Sequence, residues 1–410
     1  MSKSFFHSVS YVFAGTFLAQ LIPIAGTFLL ARIFAPSDFG LYSVWLGFVL
    51  FLSVVLTGRF EMSLAVEHDG DPRRLAAAMT LVTIALGSAI AGCLLWLVMH
   101  IQIASISSLP LILILIAVPA SGLVAAINTF QNWAAADGRY THLSAIRLVQ
   151  ATLIVLLQIG FGLLKPDAIG LGIGYLAGVL AAFSVCVVLM PIRLADIAKT
   201  KQQLFDFWKR QRRFPIYSLP ADSLSAATAQ LPVIIVASRF GEDAAGLLAM
   251  ALRMAGAPMS LLSASVLDVF KRHASTAFRE RGECRAEYLH AFRILLTVAI
   301  ASALAINFLA KPLFDLFFDQ KWLGAAAICV WLLPRFAGGF VASPLSYMVY
   351  IVGKQHLDFI WQLALASVTL SVLLLLEPMQ SALLVYASCY GILYMVYLYM
   401  SYKFSCGSAK

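Results

Sequence analysis

The sequence predicts an all-α membrane protein with about twelve transmembrane helices, and three observations lead to that prediction. Of its 410 residues, 61% are hydrophobic and only 12% are charged, whereas soluble domains average about 45–50% apolar and about 25% charged residues. Apolar runs of roughly 20 residues, long enough to cross about 30 Å of hydrocarbon, follow one another along the whole chain. Because these runs are continuous rather than alternating, they favour helices over barrel strands.

The predicted spans are spread evenly along the chain, and no polar block is long enough to form a soluble domain. They lie near residues 8–33, 40–58, 76–99, 108–130, 146–164, 168–192, 216–238, 245–268, 289–310, 323–350, 357–376 and 380–402. Basic residues concentrate in every second loop, so the positive-inside rule predicts that both termini face the cytoplasm.

The composition also excludes several classes of function. The net charge of +9 forms no basic stripe on a soluble fold, so no nucleic-acid partner is expected. The six cysteines stand singly, without CxxC or zinc-like spacing, and the histidines form no metal set. No nucleophile–base pair, paired carboxylates or phosphate-cradling loop occurs, so we expect neither an enzyme nor a bound cofactor or metal.

The chain repeats itself at about half its length. LARIFAPSDFGLY after the first span aligns with VASRFGEDAAGLL after the seventh, and further on Gly138 aligns with Gly353 and Arg139 with Lys354. Six predicted spans separate the two copies, and an even number keeps their orientation the same. This pattern predicts two parallel six-helix bundles, 1–193 and 216–410, with a cleft between them. Chance similarity between apolar sequences is the alternative interpretation.

The stretch between the bundles, 194–215, combines basic and bulky apolar residues. Phe205, Phe207 and Trp208 interleave with Lys209 and Arg210, a pattern typical of a helix that lies on an anionic membrane surface. We therefore predict a cytoplasmic linker that contacts membrane lipids.

Three ionisable residues fall inside predicted spans, namely Asp222, Arg253 and Arg335. Each would cost about 2.5–3.5 kcal/mol at a helix centre facing lipid, so we expect each to face water or a partner. Arginine presents a fork of donors suited to phosphate or carboxylate, which predicts substrate binding by Arg253 and Arg335. The alternative is that both are structural and bond carbonyls freed at Pro258 and Pro334.

The seventh span adds two further candidates. Asp222 follows Pro220 in a segment rich in Ser and Thr that includes Gln230 and is typical of a kinked, cavity-lining helix. We predict substrate binding for Gln230 and ion coupling for Asp222. Desolvation of the Asp222 carboxyl group would make this group a proton carrier. A neutral structural Asp222 is the alternative.

Two shorter motifs complete the set of candidates. Arg59 and Glu61 in TGRFE are expected to pair at the cytoplasmic mouth of the second span. Gly170, Gly174 and Gly178 form a GxxxGxxxG face that predicts close helix packing.

Three segments resemble the Wzx-type polysaccharide (O-antigen or capsule) flippases of the multidrug/oligosaccharidyl-lipid/polysaccharide (MOP) exporter superfamily. They begin at LARIFAPSDFGLY, FQNWAAADGRYTH and FPIYSLPADSLSA and together cover well over a third of the chain. The resemblance implies a MATE-like fold in a bacterial inner membrane. It also implies alternating-access transport of a polyprenyl-pyrophosphate-linked oligosaccharide for surface polysaccharides such as lipopolysaccharide or exopolysaccharide.

Within such a system a polysaccharide polymerase and glycosyltransferases are the expected partners. In these flippases cationic cavity residues engage the anionic head group, a role that the resemblance extends to Arg253 and Arg335. The N-terminal bundle carries almost no buried charge, which is a departure from a strongly cationic cavity. Two alternatives stay open: an ion-coupled exporter of small molecules, and a non-transporting scaffold for polysaccharide assembly.

Overall fold

The computed structural model describes residues 3–100, 109–192 and 201–407, and the regular secondary structure in these ranges is helical, with no β-strand. Six helices come before the linker: α1 Lys3–Ile33, α2 Pro36–Thr57, α3 Asp71–His100, α4 Leu111–Ala136, α5 Tyr140–Leu164 and α6 Ala168–Leu189. The linker helix is α7 Lys201–Arg210, followed by α8 Leu219–Phe240, α9 Glu242–Ala251, α10 Ala257–Arg281 and α11 Arg285–Phe317. The last five are α12 Leu323–Trp331, α13 Leu333–Leu345, α14 Met348–Ile351, α15 Gln355–Leu375 and α16 Met379–Ser405.

Four short helical segments of other types connect these elements. Two are 3₁₀ helices, Phe60–Ala65 and Gln320–Trp322, and two are π-helical turns, Phe214–Ser218 and Leu252–Gly256.

The all-helical membrane architecture predicted from the sequence is confirmed. Within the described residues, nine helices are long and apolar enough to cross a membrane, and a bent pair formed by Gln320–Trp331 and Leu333–Ile351 makes ten. In α1 the shorter stretch Leu18–Ile33 is also apolar. The eighth predicted span, 245–268, corresponds to the broken helix formed by α9, a π-turn and α10.

The chain divides into two compact units, Met1–Gln230 and Leu231–Lys410. The boundary lies inside α8, beyond the predicted linker 194–215, of which residues 194–200 lie outside the described ranges. The grouping into two parallel six-helix bundles stays a prediction.

Prolines explain where the membrane helices are broken. A proline lacks the N–H that bonds the carbonyl four residues earlier, and its ring collides with that carbonyl. The π-turn Phe214–Ser218 comes just before Pro220, and the π-turn Leu252–Gly256 comes just before Pro258. Pro334 follows the junction of α12 and α13, where the axis bends by 54°. The breaks expected at these prolines are therefore confirmed.

Aromatic side chains form the core of the first unit. Trp45 of α2 is 1% exposed and its indole ring packs edge-on against Tyr175 of α6, with ring centroids 5.7 Å apart. The indole Nε1 donates a hydrogen bond of 2.6 Å to the carbonyl of Leu113 in α4. Trp45 thus joins three helices, and its indole N–H is paired.

The predicted glycine face of α6 packs against α5. A Cβ atom on Gly174 would lie 2.6 Å from the Cα atom of Gln158, and one on Gly178 would lie 2.6 Å from the Cα atom of Ile154. Gly170 is close instead to the carbonyl oxygen of Lys165, at 2.1 Å from its would-be Cβ. Glycine at 174 and 178 therefore lets the two backbones approach as the motif predicts.

We expect Gly174→Ala to separate α5 from α6, because the added methyl group would collide with backbone atoms that cannot rotate away. Overpacking of this kind costs about 1–3 kcal/mol, so thermal unfolding of the purified protein in detergent should shift to lower temperature. The matched control is Gly160→Ala, since a Cβ at Gly160 meets nothing within 4 Å. Equal melting temperatures for the two variants would contradict the packing role.

The internal repeat stays a prediction, but one pair of aligned positions has the same backbone turn. Gly138 and its counterpart Gly353 have φ values of 68° and 69°, in the left-handed region that favours glycine. The hydrogen bonds of the next residues match as well. The backbone N–H of Arg139 donates to the carbonyl of Ala134, and the backbone N–H of Lys354 donates to the carbonyl of Val349, each at 2.9 Å. Both copies therefore end a helix with the same turn and begin the next helix at the same residue.

Candidate functional site

The chain reverses sharply after α2, and this turn positions the first group of functional side chains. Gly58 ends the helix with φ 54°, and its N–H donates to the carbonyl of Val55. Arg59 follows with φ 59° and is the one non-glycine residue with positive φ in the described ranges. A left-handed arginine is uncommon because its Cβ crowds the backbone, and here it turns the side chain toward the 3₁₀ helix that follows.

Arg59 bridges two carboxylates, and we call Arg59, Glu61 and Asp222 the arginine–carboxylate cluster. Its Nη1 lies 2.8 Å from Oε1 of Glu61, and its Nε lies 2.7 Å from Oδ2 of Asp222. The Glu61 side chain is 4% exposed, whereas the Asp222 side chain is 38% exposed. The Arg59–Glu61 ion pair expected from the sequence is present, and the structure adds Asp222 to it.

Asp222 lies closer to a helix end than the sequence suggested. Because α8 begins at Leu219, Asp222 occupies its first turn, where a carboxylate is favoured by the helix dipole. The partner of Asp222 is Arg59, which is far from it in the sequence. No sequence pattern predicts this contact.

Arg73 anchors the segment that carries Glu61. Its guanidinium donates to the carbonyls of Leu64 and Glu67 and, from the other side, to the carbonyl of Ala136 and to Oδ1 of Asp137, at 2.8–2.9 Å. Arg73 is 6% exposed. It therefore fixes the 3₁₀ helix Phe60–Ala65 to the end of α4 through a buried guanidinium whose three nitrogens all donate.

The linker helix α7 packs on the protein with one side. Phe207 is 3% exposed with its ring 5.3 Å from that of Phe60, and Trp208 Nε1 donates to Oγ1 of Thr83 at 2.8 Å. Phe205 is 63% exposed. Two bulky side chains of this helix therefore face the protein and one is exposed, and its position on a membrane surface stays a prediction.

Arg335 lies in the second unit, in the first turn of α13 directly after the bend. The Cζ atom of its guanidinium is 5.8 Å from the ring centroid of Phe336, 5.7 Å from that of Tyr386 and 5.5 Å from that of Tyr390. Ring faces attract a cation within about 6 Å. We call these four residues the arginine–tyrosine cluster.

Small residues allow α13 and α16 to approach closely enough to form this cluster. A Cβ on Gly338 would lie 3.0 Å from the Tyr394 ring, and one on Gly391 would lie 3.3 Å from Pro334. Sequence reasoning missed the tyrosines of α16, although a signal was available. Tyr386, Tyr390 and Tyr394 recur every four residues and so share one helix face.

Two polar atoms of this cluster are unused. Within the described residues, Arg335 Nε and the hydroxyl of Tyr386 have no hydrogen-bond partner, and Tyr386 is only 1% exposed. By contrast, the hydroxyl groups of Tyr390 and Thr369 share a hydrogen bond of 2.7 Å. An unpaired buried polar group costs about 1–3 kcal/mol, so the arrangement can gain energy from an acceptor such as a phosphate oxygen.

Arg253 and Gln230 occupy separate surroundings. Arg253 is partly buried in the π-turn Leu252–Gly256, where a Cβ on Gly256 would lie 3.3 Å from the ring of Phe336. In the first unit, Gln230 packs on Gly47, with its Oε1 3.3 Å from a would-be Cβ there. The substrate contacts of Arg253, Arg335 and Gln230 stay predictions.

Solved structures show which class of protein this architecture belongs to. The chain superposes on the lipid II flippase MurJ with a TM-score of 0.72, 17% identity, and coverage of 95% of this chain and 87% of that chain. It also superposes on the MATE multidrug transporter DinF-BH with a TM-score of 0.65 at 12% identity, covering 97% and 94%. A MOP superfamily transporter from Pyrococcus furiosus gives 0.61 at 12% identity, covering 98% and 96%. The protein is therefore an all-helical membrane protein with the fold of the MOP superfamily.

Sequence comparison gives the family. A family model described as polysaccharide biosynthesis protein matches residues 29–327, which is most of the chain, so the chain belongs to the polysaccharide biosynthesis protein family. No curated protein matches it significantly. The resemblance to polysaccharide flippases noted from the sequence is thus confirmed at the level of family and fold.

Proposed function

We propose that this protein is a flippase that moves a polyprenyl-pyrophosphate-linked oligosaccharide from the cytoplasmic to the outer leaflet of a bacterial inner membrane. The family supports a role in polysaccharide biosynthesis, and MurJ, a lipid II flippase, shares the fold. The chain has both termini in the cytoplasm, acts without catalysing a reaction, and works beside glycosyltransferases and a polysaccharide polymerase.

The arginine–tyrosine cluster is the observation that carries this proposal. A permanently charged guanidinium in a bent membrane helix, with an unused N–H beside an unused buried phenol, is suited to an anionic head group. Arg335 is therefore assigned to the pyrophosphate end of the substrate, with Arg253 and Gln230 as further substrate contacts.

The arginine–carboxylate cluster supplies the second requirement of a transporter, a group that responds to an ion gradient. Its charges, one guanidinium and two carboxylates, sum to minus one at the head of the membrane helix α8. A site with an uncompensated negative charge favours uptake of a cation. In this scheme ion coupling acts through the pairing of Asp222 with Arg59, and Arg59 with Glu61 forms the cytoplasmic mouth.

Reconstitution tests the proposal directly. Purified protein in proteoliposomes is given a fluorescent polyprenyl-pyrophosphate oligosaccharide, and a membrane-impermeant quencher reports which leaflet holds the label. We expect protein-dependent movement of the label between leaflets. A rate equal to that of empty vesicles would overturn the proposal, and transport of a cationic dye in place of the glycolipid would favour a multidrug exporter instead.

A further inference from the structure

One carboxyl group in the arginine–carboxylate cluster is only half used. Glu61 is 4% exposed, and its Oε1 accepts a hydrogen bond of 2.8 Å from Arg59 Nη1. Its other oxygen, Oε2, is buried and has no hydrogen-bond partner among the described residues. An ionised carboxylate has about four acceptor sites to satisfy, so this environment is a poor one for the charged form.

The charge balance of the cluster points the same way. Arg59 contacts two carboxylates and can neutralise one of them. The Asp222 side chain is 38% exposed and keeps part of its hydration, whereas the Glu61 side chain does not. Because the charged form loses most of its solvation at Glu61, a proton entering the cluster is expected there.

Most of the surrounding charged groups are engaged in ion pairs of their own. The 3₁₀ helix Phe60–Ala65 packs against α3, α4 and the π-turn Phe214–Ser218. The ion pairs formed on and beside these elements are Arg73 with Asp69 and Asp137, Arg139 with Asp137, Arg74 with Asp71, and Arg210 with Glu67. Arg213, at the start of the π-turn, has its guanidinium over the ring of Phe214.

We propose that Glu61 is a proton-binding site and that a proton on its Oε2 releases Arg59 to pair with Asp222 alone. The carboxylate gains one O–H bond and becomes a neutral acid, no other covalent bond forms or breaks, and the cluster changes from a charge of minus one to zero. Arg59 sits in the uncommon left-handed conformation, so loss of its bond to Glu61 removes one contact that holds it there. The use of this proton for transport rests on the proposed function, whereas the binding itself does not.

The pKa of Glu61 agrees with this assignment. Burial raises the pKa of this carboxyl above its ordinary value, against the lowering effect of the Arg59 charge. A carboxyl whose pKa is higher in the folded state binds more protons there than in the unfolded state. The free energy of unfolding should therefore rise as the pH falls from the folded pKa toward the ordinary value, and decline as the pH rises through the folded pKa.

Infrared spectroscopy of the purified protein in lipid nanodiscs tests the proton site. The carbonyl band of a protonated carboxyl should appear, on acidification, at a higher pH than for solvent-exposed glutamates. We expect Glu61→Gln to remove this band and Asp222→Asn to retain it. Glu67→Gln, which changes a carboxylate held by Arg210 and Gln211 in the same segment, is the matched control and should also retain it.

Each opposite outcome overturns the inference. A band that persists in Glu61→Gln, or that disappears in Asp222→Asn, places the proton elsewhere. Should Glu61→Gln fail to fold, the Asp222→Asn result decides alone. A midpoint that moves when sodium replaces choline would identify a metal cation as the ligand instead. If the protein transports glycolipid but shows no carboxyl band that depends on Glu61, the proton site is wrong and the proposed function is not affected. If it shows that band but does not transport glycolipid, the proposed function is wrong and the proton site is not affected.

Discussion

Replacing Arg335 by alanine should reduce glycolipid transport by roughly 10–100-fold. A hydrogen bond to a charged group is worth about 1.5–3 kcal/mol, and each 1.4 kcal/mol corresponds to about a tenfold change. Arg335 Nε has no partner of its own in the described structure, so the energy of such a bond is free for the substrate. The measurement is the leaflet-exchange rate in proteoliposomes, normalised to the amount of folded protein.

Two further variants separate binding from packing. Arg335→Lys keeps the charge near Tyr386 and Tyr390 but loses the planar fork, so transport should fall less than in Arg335→Ala. Tyr386→Phe keeps the ring and removes the unpaired hydroxyl, so we expect weaker transport with no loss of thermal stability. Full transport in Arg335→Ala would show that the arginine–tyrosine cluster is structural and would remove it from the substrate site.

The largest loss of stability is expected for Arg73→Ala. Without its guanidinium, the buried carbonyl of Leu64 loses a donor, and so do the partly buried carboxylate of Asp137 and carbonyls of Glu67 and Ala136. Removing one partner of a buried ion pair typically costs about 3–5 kcal/mol. Thermal unfolding in detergent should therefore begin at a much lower temperature, and less protein should reach the membrane.

Arg74→Ala is the control for this prediction, because it changes the neighbouring arginine on the same helix. Arg74 makes an ion pair with Asp71 at 3.8 Å, and the Asp71 side chain is 96% exposed. Exposed pairs contribute about 0–1 kcal/mol, so the melting temperature should hardly change. Similar losses in the two variants would mean that Arg73 acts only through general charge and not through its buried donors.

The membrane fold could be predicted from local sequence because a bilayer imposes a strong local rule. A segment that crosses hydrocarbon must be long, apolar and helical to satisfy its own backbone. Helix breaks followed from Pro258 and Pro334 for the same reason, since a missing N–H acts within one turn. The close packing at Gly174 and Gly178 was also visible, because it depends on residue spacing along one helix.

The contacts within the two candidate sites could not be predicted from local sequence. The sequence singled out Arg59, Glu61 and Asp222, but it assigned Asp222 a separate place from the other two. The contact between Arg59 and Asp222 depends on how the turn after α2 meets the start of α8. Spacing along the chain contains no information about a contact between helices so far apart.

The arginine–tyrosine cluster also combines a feature that the sequence predicts with contacts that depend on the tertiary structure. By itself, the sequence determined that Arg335 stands in a membrane segment and must find a partner, because an ionised side chain facing lipid is costly. Only the tertiary structure decided that the partners are Tyr386 and Tyr390, because the crossing of α13 over α16 is set by close packing at Gly338 and Gly391. Patterns along one helix determine which face is buried, whereas the residues met by that face depend on packing between helices.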